Sequence, residues 1–239
     1  MASRPATSGW RQFKAILKKD IVMELRTKEM LTSMGLYALL VLVVYYIALS
    51  QAGQDFEVRR IAGGLLWLVF IFTSLLGLNR SLVHEKDQGC LEALLISPTD
   101  RPVIFFGKAV GNLIFLSIVE VLIVPLFYFI FLASSADQKM GPVWMIALAL
   151  VVGSIGIAGV GTLLSTMSVN TKGKDFILAV LFIPIMFPLL LAVVAGTSVV
   201  LQADPEYVRT YWQMMGLAAG YDTIMLLAAF ALYEFVLGA

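Results

Sequence analysis

Six apolar runs, at about 31–50, 61–82, 107–133, 142–168, 176–200 and 212–237, dominate this 239-residue chain. Each is long enough to cross the hydrocarbon of a bilayer, for which about 20 residues suffice. Lipid offers the backbone no water, so a crossing segment must satisfy its own N–H and C=O groups, and each run is expected to be an α-helix. The predicted fold class is therefore all-α: a polytopic membrane protein with six transmembrane helices. Composition agrees, since 60% of residues are hydrophobic and 14% charged, and the mean hydropathy is +0.90. Two regions follow: residues 1–30, a tail with an amphipathic helix, and residues 31–239, the membrane bundle.

Orientation follows from the cations. Seven lysines and arginines precede the first run (Arg4, Arg11, Lys14, Lys18, Lys19, Arg26, Lys28). Four follow the second (Arg80, Lys86, Arg101, Lys108) and two follow the fourth (Lys172, Lys174). Thirteen of seventeen thus lie on one side, against Arg59, Arg60, Lys139 and Arg209 on the other. The positive-inside rule predicts both termini in the cytoplasm. The first apolar run is too long and too far into the chain for a cleaved signal peptide. Net charge, +1, points to no nucleic-acid partner.

Residues 10–30 read as an elbow helix lying on the membrane. Trp10, Phe13, Leu17, Ile21 and Leu25 form an apolar face, with Arg11, Lys14 and Lys18 on another. The outward loops, about 51–60, 134–141 and 201–211, are too short for a folded domain. Pro125, Pro184 and Pro188 are expected to kink or interrupt their helices, and IPIMFP at 183–188 to break the fifth span near its middle. The glycines of GSIGIAGVG (153–161) predict one close helix–helix seam.

The largest charged island, HEKDQGCLEALLISPTDRP at 84–102, lies on the basic side. Leu91, Leu94 and Leu95 fall at i, i+3 and i+4 of a short amphipathic helix. Ser97-Pro98 stops that helix, and Thr99 or Asp100 can cap the next, with Pro102 in its first turn. Glu85, Lys86, Asp87, Gly89 and Glu92 flank the leucines. Anionic lipid favours basic helices, whereas these flanks are largely acidic, so a protein partner suits the island better. Such a helix is expected to couple the membrane spans to a soluble motor.

Catalytic chemistry is sparse. His84 is the single histidine and Cys90 the single cysteine, so neither a histidine metal site nor an internal disulfide is expected. No GxxxxGK[ST] loop, GxSxG elbow or HExxH pair is present. The chain is read as a non-catalytic subunit that binds no cofactor, with ATP hydrolysis in a partner. Glu120 and Asp222 lie inside spans, where charges are costly. Each is read either as a functional carboxylate for substrate contact or gating, or as a buried acid bonded to a neighbour. Asp222 also has an outer-interface placement open to it. If both were functional, they would suit an ion-coupled secondary transporter.

The elbow LKKDIVMELRTKEML (17–31), Glu85-Lys86-Asp87 with Gly89, Leu91-Glu92-Ala93-Leu94-Leu95 and Ser97-Pro98 together resemble the haem exporter protein B family. These are permease subunits of the cytochrome c maturation transporter, within the wider type-2 ABC exporter permeases. The pattern E-x-x-x-G-x-L-E-x-L-x-x-S-P is shared by that wider class, so an exporter of another lipophilic substrate is the alternative. The resemblance implies a bacterial inner-membrane protein that pairs with a second copy of itself and with an ABC ATPase subunit carrying the nucleotide site. It also implies a haem-handling membrane protein, a small membrane subunit and a periplasmic haem chaperone as partners, with haem as cargo of the complex.

Overall fold

The computed structural model describes residues 9–51, 57–87, 101–133, 140–168, 174–203 and 205–236. These form seven helices and no strand: α1 (Gly9–Thr27), α2 (Glu29–Ser50), α3 (Val58–Asp87), α4 (Arg101–Phe131), α5 (Val143–Ser168), α6 (Lys174–Gln202) and α7 (Tyr207–Val236). Helices α2 to α7 are each long and apolar enough to cross a membrane. Six consecutive crossings put α1, the end of α3 and the start of α4 at one end of the bundle, here called the basic end.

Burial ranks the helices. Of the apolar windows, 61% is buried in α3 and in α5, against 22% in α2 and in α7, so α3 and α5 form the centre. Helix α5 touches α3, α4, α6 and α7. Its glycines explain how. A Cβ at Gly153 or Gly161 would run into Trp67 or Leu78 of α3, and one at Gly156 or Gly159 into α7, at Asp222 or Leu226. The run expected to make one seam therefore makes two, because its glycines spread around more than one side of the helix.

Lipid tails are as apolar as the side chains, so packing and interhelical hydrogen bonds hold the spans together. Trp67 Nε1 donates to Thr197 Oγ1 at 2.9 Å, joining α3 to α6. Asn112 Nδ2 of α4 donates to Thr162 Oγ1 of α5 at 2.9 Å, and the Tyr211 hydroxyl of α7 donates to the Met145 carbonyl of α5 at 2.7 Å. Large apolar side chains face outward, among them Leu36 and Leu40 of α2 and Val121 and Phe129 of α4. That surface suits hydrocarbon rather than water.

One expectation is corrected. The fifth span is not broken: α6 runs unbroken from Lys174 to Gln202 with Pro184 and Pro188 inside it, as α4 does with Pro125. The Tyr221 hydroxyl of α7 donates to the carbonyl of Ile185, between the two prolines. Neighbouring helices can supply partners where proline disturbs the ladder, which keeps such a helix whole. The second span, Val58–Asn79, matches its apolar run, and α3 continues beyond it as helix to Asp87.

Candidate functional site

The island is where the sequence places function; α3 leads into it, α4 leads out of it, and α1 packs on α4. Glu85, Lys86 and Asp87 form the last turn of α3, so the island begins on the same continuous helix that crosses the membrane. Gly89, Leu91, Glu92, Leu94 and Leu95 lie outside the described residues, as do Thr99 and Asp100. The chain resumes as helix at Arg101, with Pro102 in the first turn of α4.

Helix α1 is fastened to the start of α4. Lys108 Nζ reaches both carboxylate oxygens of Asp20, at 3.1 and 2.9 Å. Lys108 is only 5% exposed. A buried ammonium is tolerable only with a close, hydrogen-bonded counter-charge, so this pair is structural rather than a loose surface contact. One residue earlier, Gly107 receives Ile16: a Cβ there would stand 2.9 Å from Ile16 Cγ2. Around this point Ile16, Ile104, Phe105, Ala109, Leu163, Ala229 and Tyr233 form a separate apolar cluster, which ties α1, α4, α5 and α7 together. Phe105 and Tyr233 rings lie 5.1 Å apart.

Of the expected apolar face of α1, Phe13, Leu17 and Ile21 are partly buried and Ile21 packs on the core. Ile16 and Glu24 are buried and Gln12 and Asp20 partly so, a line repeating every four residues, whereas Trp10 and Leu25 are exposed. The inward side is therefore mixed, with Asp20 and Glu24 bonded among apolar neighbours. Trp10 stacks on Phe13 at 5.3 Å, and Lys14 Nζ lies 5.1 Å from the Trp10 ring centre. The helix ends at Lys28, whose φ of 55° is left-handed. Its N–H bonds the Glu24 carbonyl at 2.7 Å, and Glu24 Oε1 accepts the Leu31 N–H at 2.8 Å.

Glu120 and Asp222 are both buried, each 6% exposed. Glu120 of α4 accepts a hydrogen bond from Ser154 Oγ of α5. Asp222 of α7 lies against Gly156 of α5 and Leu189 of α6, and its Oδ1 has no hydrogen-bond partner. Gly156 is near the middle of α5, which places Asp222 deep in the span rather than at the outer interface. Ser154 and Gly156 are about 200° apart around a helix. The two carboxylates thus approach α5 from opposite sides and do not form one site. Among the described residues no cluster of histidine, cysteine, aspartate and glutamate could hold a metal.

Asp20, Glu24 and Lys108 were not singled out by the sequence. One signal was available: a lysine flanked by FFG and AVG, seven residues inside a helix that starts at Arg101, requires an acidic partner from elsewhere in the chain.

The model of the CcmB protein family matches residues 11–236. The chain is similar to heme exporter protein B of Rhodobacter capsulatus, 26% identical over 178 residues, which cover 74% of this chain and 78% of the relative. Heme exporter protein B of Pseudomonas aeruginosa is 22% identical over 200 residues, 84% of this chain and 86% of the relative. That of Bradyrhizobium diazoefficiens is 24% identical over 188 residues, 78% and 81%.

Proposed function

Because the chain belongs to the CcmB protein family, we propose that it is the membrane permease subunit of an ATP-driven exporter that serves cytochrome c biogenesis. Its relatives are named heme exporters. The output of the complex is delivery of haem outside the cytoplasm, by export or by ATP-dependent release of a haem-loaded periplasmic chaperone. The observation that carries this reading is the extent of the family match, which runs from α1 through the island to the last span.

ATP is hydrolysed in a separate subunit, in keeping with the missing phosphate-binding loop. The basic end faces the cytoplasm, where that subunit binds the island. Leu91, Leu94 and Leu95 fill an apolar groove on it, while Glu85, Lys86, Asp87 and Glu92 set orientation and Gly89 lets the backbones approach. Nucleotide-driven movement of the motor pushes this helix, and the push enters the bundle through α3 and α4, which flank it. A second copy of the chain completes the permease.

The test is co-expression with the ATPase subunit of the same complex. Co-purification, ATPase activity that responds to this chain and loss of haem-loaded cytochrome c in cells lacking it are expected. Normal cytochrome c maturation in those cells would overturn the reading.

A further inference from the structure

We infer that α1 moves as one body with the start of α4, and that Asp20, Lys108 and Glu24 are positioning residues carrying motor movement into the first span. The inference rests on the proposed coupling role of the island. Helix α4 begins at Arg101, where the island ends, so it is one of the two helices through which a push on the island enters the bundle. Two turns later α4 is gripped by α1 in two ways: charge, through Lys108 and Asp20, and shape, through Ile16 in the notch at Gly107.

The grip then continues. At the far end of α1, Glu24 closes on the first turn of α2 through the Leu31 N–H, and Lys28 leaves no free linker between the two helices. Helix α2, with α7 one of the two least buried spans, is thereby connected to the start of α4 by a path of polar contacts. Helix α2 also packs directly on α3 and α4, and the path through α1 adds a polar link to those contacts. On the side of α1 turned to the bundle, Asp20 and Glu24 hold α4 and α2.

The test uses the full complex in lipid nanodiscs, reading haem delivered per ATP hydrolysed. Lys108→Met and Asp20→Asn should each lower that ratio, by roughly two- to thirty-fold, while complex assembly and the KM for ATP stay as in the parent. A cross-link supplies the rescue. A Cβ at Gly107 would lie 3.3 Å from Ile16 Cβ, close to the separation of about 3.5–4.5 Å that a disulfide needs. Oxidised Ile16→Cys/Gly107→Cys should retain delivery, and in the Lys108→Met background oxidation should restore it, with reductant reversing the gain. If the cross-linked complex hydrolyses ATP but delivers no haem, α1 must slide on α4 and the inference is overturned. An unchanged ratio in Lys108→Met overturns it too. Failure of the unaltered chain to bind any ATPase subunit would instead sink the proposed function.

Discussion

The Glu24 carboxylate accepts the backbone N–H of Leu31 at 2.8 Å, from one helix to the next. Helix α2 has no side-chain cap at Lys28, the residue before it, and the first N–H groups of any helix lack partners within it. The preceding helix supplies the missing acceptor. Its negative charge also suits the positive end of the α2 dipole.

Replacing Glu24 with alanine should therefore cost about 1 kcal/mol, the usual worth of a helix cap. Glu24→Gln keeps an oxygen acceptor and should lose less. Thermal unfolding in detergent, compared across both variants, checks this; equal midpoints for parent and Glu24→Ala would refute it.

The notch at Gly153 is occupied by the Trp67 ring, at the centre of the bundle. Gly153→Val should overpack α3 against α5 and destabilise by about 1–3 kcal/mol. A second change, Trp67→Phe, makes room but gives up the Thr197 hydrogen bond, so the double variant should recover only part of the loss. Monodisperse yield on size exclusion is the measurement.

Inside the membrane, Ser154 and Glu120 satisfy each other. Glu120→Gln keeps an acceptor and should leave stability within about 0.5 kcal/mol, whereas Glu120→Leu should cost about 1 kcal/mol. Detergent unfolding reports the difference. A stable Glu120→Gln variant that loses haem delivery would show that the carboxyl, and not only the hydrogen bond, is used.

At the island, Leu94→Asp or Leu95→Asp should weaken ATPase co-purification by roughly thirty-fold, as loss of an apolar anchor worth about 2 kcal/mol would. A pull-down with graded ATPase concentrations measures it. Full retention in both variants would remove the leucines from the contact.

Much of this was legible without coordinates. Long apolar runs in a chain with few charges leave helices as the available crossing element, and α2 to α7 follow them closely. The density of small residues in 153–161 announced close approach, though not that it occurs on two sides. Proline was the poorer guide: Pro184 and Pro188 signal weakness in a helix, but continuity depends on partners such as Tyr221 that lie on another span.

Sequence alone determined the number of spans, their helical form and the crowding of charge at one end. Each of these follows from local composition, because the bilayer constrains every crossing segment separately. Tertiary structure decided which carboxylates matter and to what. Asp20 and Lys108 are 88 residues apart, Glu120 meets its serine on a different helix, and Glu24 of α1 finds its donor on α2. Pairings of that kind are set by how helices meet, and no periodicity along the chain contains them.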